Sequence, residues 1–431
     1  MFTTHKKIYI TQIASHFSLC IFIADLYNET MRKLLSIITF FILIFGCMCL
    51  YFSIIYPTTA PLKSIQYFVE SLTKPHSNLT KQIIGFLPYW RLDNSQFIRP
   101  NELSEINYFS LSVGNNGHLL KIVNGQTDPG WNGWIKQSTK DLLTRAQIMG
   151  TSVSVTVAAQ DNQLIESILN SNIAQNNLIS DIIMQLKQRR FNGINIDFEY
   201  TGEPDIIYQQ AFTSFSKKLA SQLKQQIPDA KLTLSIMPLS ARQKGLYELA
   251  KLVPIYDHFI GMSYDYYGQN SDIAGPVAPM NGFKQKKYFF DIVTTYEDYK
   301  KYIPKNKLMM GIPTYGWEWA VVDGKTITSK TFPAINPNSY AVVISYARAR
   351  ENSALKPNQC HWDTVSEETW CWFRDKQSSI DHQTWIIDNR SLQTRFDYAN
   401  QQNFGGIALW TLGLDKNYPD IWDRIQSSFV K

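Results

Sequence analysis

The chain has 431 residues, 44% of them hydrophobic and 13% aromatic, with 42 Lys and Arg against 36 Asp and Glu and a net charge of +6. The length admits one large domain or two smaller ones, and the apolar fraction suits a globular protein. The basic excess is mild, with no basic run among aromatics beyond 284–287, which excludes a nucleic-acid partner and leaves only a nonspecific attraction to anionic polymers or an anionic membrane surface.

The first predicted element is apolar. Residues 34–55 form an almost unbroken hydrophobic run, long enough to span a bilayer as a helix. Arg32 and Lys33 precede it, which places the N-terminus in the cytoplasm and the body outside. A cleaved signal peptide, and hence a secreted protein, competes with this reading. Its apolar core is usually shorter, however, and no small-x-small site follows directly. Ile44-Phe45-Gly46-Cys47 is a poor lipoprotein box, because Phe45 fits badly and the run continues past it. An uncleaved anchor at 34–55 is therefore favoured, with 1–33 a cytoplasmic tail or an overcalled start, since Met31 opens an export segment by itself. Residues 56–80, punctuated by Pro57, Pro61 and Pro75, read as a linker with one helical turn.

From Lys81 short apolar runs alternate with helical stretches. The runs are 82–88, 106–112, 152–158, 193–199, 231–238, 258–264, 307–313 and 405–410. The clearest helix is 206–227, where Ile207, Phe212, Phe215, Leu219, Leu223 and Ile227 fall near a 3.6-residue period. Eight strands alternating with helices predict an α/β fold, a (β/α)8 TIM barrel over 81–431. An open doubly wound sheet usually has a glycine-rich loop after its first strand, and Pro88-Tyr89-Trp90 is unlike one. The interval between strands 7 and 8 is too long for one helix. A small α+β insertion is expected at about 317–387, with a helix at 391–401.

Cys20, Cys47 and Cys49 fall in the tail and membrane segment. Cys360 and Cys371 flank what reads as a hairpin, with Trp362 and Trp370 near its ends. Outside the cytoplasm they are disulfide candidates, with two unpaired thiols the alternative. No further Cys and no well-spaced His joins them in a metal site.

The most informative segment is Asn192-Gly193-Ile194-Asn195-Ile196-Asp197-Phe198-Glu199. Alternation with period two gives a strand with one apolar face and one face carrying an amide and two carboxyls. Acids at alternate positions can simply face water. Here a polar loop and a helix follow, the pattern of a buried parallel strand ending at a functional loop. Carboxyls buried in line are costly unless paired, so the strand is a catalytic candidate. Barrel active sites lie at the C-terminal ends of the strands, which brings Tyr89, Trp90, Glu199, Asp265 and Trp410 around one mouth.

This segment resembles the Asp-Gly-x-Asp-x-Asp-x-Glu signature of family 18 glycoside hydrolases, with Asn192 and Asn195 at two acidic positions. Met262-Ser263-Tyr264-Asp265, Gly311-Ile312-Pro313-Thr314-Tyr315-Gly316 and Gly405-Gly406-Ile407-Ala408-Leu409-Trp410 are similar to the family's motifs on strands six, seven and eight. The third-strand Ser-x-Gly-Gly appears only as Thr156-Val157-Ala158-Ala159. The likeness covers about 81–428. Asn195, Gly275-Pro276-Val277-Ala278-Pro279 and the stretch from Trp385 to Leu392 resemble the branch with spore-cortex-lytic, germination-type and chitobiase-like members, although LysM repeats are absent.

The resemblance implies hydrolysis of β-1,4 N-acetylglucosamine linkages, in chitin oligomers or peptidoglycan, by a retaining, substrate-assisted route. Glu199 would be the acid and base, Asp197 would orient the acetamido N–H, and Tyr264 would bond the acetyl oxygen. Asp265, Asn195, Met262, Trp410, Tyr89 and Trp90 would contact sugar. No metal or cofactor is needed, the partner is an N-acetylglucosamine-containing polysaccharide, and the chain is expected to act as a monomer held to the membrane by its N-terminal segment. Asn195 carries no exchangeable charge, so Asp197 should be tuned differently from an Asp–Asp pair.

Bland alternatives stand beside these roles. Trp410 could be barrel packing, Tyr264 and Asp265 strand-end structure, and Tyr89 and Trp90 core. Trp317 and Trp319 read as packing within the insertion, and His118, His361 and His382 as surface or core residues. The competing function is a non-catalytic lectin on the same barrel; lectins of this kind commonly lose the acid, and Glu199 is retained. A purely structural envelope protein would not need the whole set of acid, Asp and Tyr.

Overall fold

A computed structural model describes residues 4–332 and 341–431, with the backbone alone for 4–28 and 30. The apolar runs become eight parallel strands: β1 Gln82–Pro88, β2 Glu105–Ser112, β3 Ser152–Ala159, β4 Gly193–Phe198, β5 Lys231–Ile236, β6 His258–Gly261, β7 Leu308–Pro313 and β8 Gly406–Trp410. They close in sequence order, β1 pairing with both β2 and β8, as a TIM barrel. Several strands are shorter than their apolar runs. Glu199 lies just past β4, and Met262 to Asp265 lie past β6.

Helices start where the sequence offers a cap. Asp161, Ser171, Asp205, Asp291 and Asp388 each accept a backbone N–H at a helix N-terminus. The helix Ile206–Gln226 buries Phe212, Phe215, Leu219 and Leu223 against the sheet. Ile207, expected on that face, is 51% exposed. Facing inward, Ile84, Phe86, Phe109, Ile260, Met309 and Ala408 form a separate apolar cluster inside the barrel. Apart from Phe109, the inward positions of β2 to β5 are mostly polar: Asn107, Ser154, Thr156, Asn195, Asp197, Thr233 and Ser235, all buried.

The insertion begins at Tyr315, with only Thr314 separating it from β7. It is a five-stranded antiparallel sheet in the order Val342–Ser345, Tyr315–Val321, Asp381–Ile386, Glu368–Arg374, Cys360–Asp363, with a helix at Tyr346–Glu351. Residues 333–340, within the expected insertion, lie outside the described residues. Cys360 and Cys371 face each other in register and are joined by a disulfide, with Cα atoms 4.0 Å apart. Trp370 stacks on Trp385 at 6.2 Å. Glu368 ties this sheet to the barrel. It accepts the Val277 and Ala278 N–H groups at 2.9 and 2.7 Å. Arg395, on the helix Asn389–Gln401, donates to it at 3.0 Å with both side chains fully buried. Burial pushes the Glu368 carboxyl up to about 7 despite the guanidinium.

The chain divides into two units, Met1–Gln66 and Tyr67–Lys431. In the first, a single helix runs Thr4–Ile55, and its 25-residue stretch Met31–Ile55, with a mean hydropathy of 2.5 over its most apolar 18 residues, is long and apolar enough to cross a membrane. The linker departs from expectation: Pro61–Thr73 is a 13-residue helix. Pro61 occupies its first turn, where a missing N–H costs nothing, and Pro75 lies beyond its end, so the prolines bracket the helix instead of breaking it. Glu70 on this helix pairs with Arg145 at 2.5 and 2.9 Å.

Candidate active site

The alternation in β4 sets the site. Ile194, Ile196 and Phe198 are buried toward the helices, Phe198 packing on Phe212 and Phe215, so Asn195 and Asp197 project into the barrel. The Glu199 backbone N–H still bonds Ala159 at 2.8 Å, which carries its carboxylate to the mouth. That carboxylate is partly exposed and accepts Gln160 Nε2 at 2.7 Å. Asp197 is only 3% exposed, and its Oδ1 has no hydrogen-bond partner among the described residues. Burial, then the neighbouring Glu199 charge, hold the Asp197 carboxyl well above the usual carboxylate range; a hydrogen bond from Ser235 opposes them.

The opposite wall comes from the segment after β6. Tyr264 lies parallel to Trp410, the last residue of β8, with centroids 6.1 Å apart and planes 5° from parallel. Trp410 also meets Phe109 at 4.7 Å, Phe86 at 5.7 Å and Trp90 at 6.4 Å. Asp265 takes the left-handed region, φ 54°, which a short polar side chain tolerates. It is open to the cleft and accepts Trp317 Nε1 at 2.8 Å. The protein around its base raises its carboxyl, with Trp317 and Tyr315 pulling the other way. Beside Tyr264 and Asp265 a cavity of about 330 Å³ is walled by Met237, Leu246, Tyr247 and Phe290.

The structure thus brings Asp197, Glu199, Tyr264, Asp265, Trp410 and Trp90 to one end of the barrel, with Met262 half-buried beside them. One expected sugar contact sits deeper. Asn195 is fully buried, its amide donating to Thr156 at 3.2 Å and Ser235 at 2.9 Å and accepting from Thr233 at 3.0 Å. It lies under the site, since a position two residues below Asp197 on the same face is one layer deeper in the barrel. Tyr89 meets Trp90 edge-on at 4.7 Å, and burial, then the nearby Asp128 charge, raises its phenol. Trp90, 48% exposed, is the one of the pair that reaches Trp410.

Sequence reasoning missed Gln160, Ser235 and Trp317. Gln160 directly follows β3, and a strand's C-terminal end in a barrel is itself a signal. Trp319 is 2% exposed and bonds the Gly268 carbonyl, as packing would have it. His118 pairs with Asp181, His361 packs on Trp370 and His382 on Phe373. Among the described residues no group of three or more His, Cys, Asp or Glu could hold a metal ion.

The arrangement offers a partly open carboxyl at a cleft, a buried carboxyl behind it, a phenol and an aromatic floor. The model of the family "Glycosyl hydrolases family 18" matches residues 73–415. The chain is similar to the cortical fragment-lytic enzyme of Bacillus anthracis, 24% identical over 390 residues, 87% of this chain and 73% of that protein. It is similar to the di-N-acetylchitobiase of Mus musculus, 25% identical over 236 residues, 52% of this chain and 61% of that protein. Its fold is similar to that of the Ostrinia furnacalis group IV chitinase solved with allosamidin, with a TM-score of 0.68, 17% identity, and 80% of this chain and 98% of that one covered.

Proposed function

The chain belongs to glycosyl hydrolase family 18, and from that premise we propose that it cleaves β-1,4 N-acetylglucosamine linkages by substrate assistance, with peptidoglycan strands as the favoured polymer and chitin oligomers as the competitor. The observation that carries the reading is Asp197: a buried carboxyl beneath Glu199, with one oxygen that meets no hydrogen-bond partner among the described residues. A buried acceptor without a partner is costly, and an acetamido N–H would supply one.

In this reading Glu199 gives a proton to the glycosidic oxygen as that bond breaks. The acetamido carbonyl oxygen attacks the anomeric carbon and forms a cyclic oxazolinium ion. Tyr264 donates to that oxygen, and Trp410 lies under the sugar ring. Positive charge appearing beside Asp197 stabilises its ionised form, reversing the effect of burial. Glu199 then takes a proton from water, which opens the ring with retention. The similarity to a cortical fragment-lytic enzyme across most of the chain supports a cell-wall glycan. Met31–Ile55, with Arg32 and Lys33 at its start, supports an anchored protein whose barrel lies outside the cytoplasm, and a cleaved segment would release it.

The full chain in detergent, offered peptidoglycan and chitin oligomers side by side, tests this. Release of reducing ends from peptidoglycan, abolished by Glu199→Gln, is expected. Cleavage of chitin oligomers alone would reassign the polymer. Tight oligosaccharide binding without turnover would make the protein a lectin.

A further inference from the structure

The peptide unit joining Phe198 to Glu199 lies past Ile196 and Leu234, the last residues that pair between β4 and β5. A strand end beyond its ladder is ordinarily held on one side and can swing about that side. This one is held on both, because a trans peptide points its N–H and its C=O in opposite directions. The N–H, that of Glu199, donates to the Ala159 carbonyl of β3 at 2.8 Å. The C=O, that of Phe198, accepts the Tyr247 hydroxyl from the segment between β5 and β6. The same carbonyl meets the Tyr200 N–H at 3.1 Å, a contact inside the turn that ties it to nothing outside.

Tyr247 is itself held. It is 8% exposed, and its ring packs on Phe212 at 5.0 Å. The residues around it are tied to the same helix, Ile206–Gln226. Gln209 Nε2 donates to the Gly245 carbonyl at 2.6 Å, and Thr213 Oγ1 donates to Glu248 Oε2 at 3.2 Å. Gln209, Phe212 and Thr213 fall on one face of that helix. The helix that follows β4 thus reaches across to hold the tyrosine that holds the end of β4. A buried phenol needs an acceptor wherever it lies. That need explains a hydrogen bond, but not its falling on the one peptide unit whose other end is already fixed and whose next side chain is Glu199.

We propose that Tyr247 is a positioning residue for the general acid, its hydroxyl fixing through the Phe198 carbonyl where the Glu199 carboxyl stands. Reacting groups must be held to within a fraction of an ångström by the shell behind them. Here Gln160 holds the carboxylate, while Ala159 and Tyr247 hold the backbone that carries it. The consequence for turnover rests on the role given to Glu199 above; the two-sided clamp does not.

Tyr247→Phe keeps the ring and removes the hydroxyl, and the full chain in detergent tests it on two substrates. A sugar leaving group needs the proton of Glu199, whereas a 2,4-dinitrophenyl group departs without one. On an N-acetylglucosamine oligosaccharide, kcat/KM should fall about 10-fold or more, the scale of a small misplacement of a reacting group. On the dinitrophenyl glycoside of the same sugar it should fall less than about 2-fold, since the misplaced acid is not used. A defect of folding or binding lowers both alike. Gln209→Ala, which loosens the 245–248 segment and leaves the ring in place, should give the same split in smaller measure, and serves if Tyr247→Phe does not fold. Equal losses on the two substrates, or no loss on either, overturn the proposal. Deuterium exchange at the Glu199 amide reads the clamp without any glycan. It should quicken about 10-fold in Tyr247→Phe, the worth of one hydrogen bond, while the amides of β7 and β8 stay protected. Unchanged exchange also overturns the proposal. Quickened exchange in a protein whose wild type cleaves neither substrate would overturn the glycosidase reading, and with it the acid to be positioned, and leave the clamp standing.

Discussion

Tyr264 and Trp410 lie face to face, 6.1 Å between centroids and 5° from parallel, so a phenol hydroxyl is fixed at the edge of an indole floor. Tyr264→Phe keeps the stack and removes only the hydroxyl. On the proposed role, kcat should fall about 100-fold, the scale of losing one oriented donor, with KM little changed. Trp410→Ala should act mainly on KM. Steady-state kinetics on one oligosaccharide separate the two; equal effects on kcat and KM from both would refute these roles.

The Gln160 amide holds one oxygen of Glu199 at 2.7 Å. Glu199→Gln should cost at least about 100-fold in kcat, as loss of a general acid does. Gln160→Ala should lose less, because the acid remains but its orientation is freer. A Gln160→Ala variant as inactive as Glu199→Gln would make Gln160 a participant in the chemistry.

Burial raises the folded pKa of Asp197 above the ordinary value of about 3.9. The folded state therefore binds that proton more tightly than the unfolded chain. Its contribution to stability is complete below the unfolded value and is lost as pH rises through the folded one. Asp197→Asn does not suffer that loss. Its Tm should gain on the wild type as pH rises above about 4. Thermal melts across pH that stay a constant distance apart would contradict this.

Arg395 and Glu368 join the inserted sheet, the segment after β6 and the helix before β8. Arg395→Met strands a buried acid and should cost about 3–5 kcal/mol. Adding Glu368→Gln should recover part of this, since a neutral amide oxygen still accepts from the Val277–Ala278 backbone. Urea unfolding of the single and double variants measures it.

Period-two alternation in β4 made Asp197 legible as an inward acid, because alternation alone decides which face a strand residue takes. The barrel followed from the rhythm of strands and helices, and Tyr264 and Trp410 from motifs at strand ends. Other features depend on partners distant in sequence. Trp317 looked like insertion packing until the fold brought its indole N–H to Asp265. Asn195 looked like a sugar contact, but depth within a barrel is set by register with neighbouring strands. The Pro61–Thr73 helix was hidden because proline reads as a breaker, and its position at the first turn shows only once the helix exists.

The interior of this barrel divides largely by strand: β1, β6, β7 and β8 bring rings and apolar groups, β3 to β5 hydroxyls, amides and acids, and β2 brings both Asn107 and Phe109. Shape recognition and proton chemistry are thus encoded in largely separate stretches of the gene, with Phe109 and Tyr264 the points of overlap. Changes that reshape the floor for a differently decorated sugar need not touch the groups that govern acidity, so substrate preference and pH optimum can evolve as independent traits.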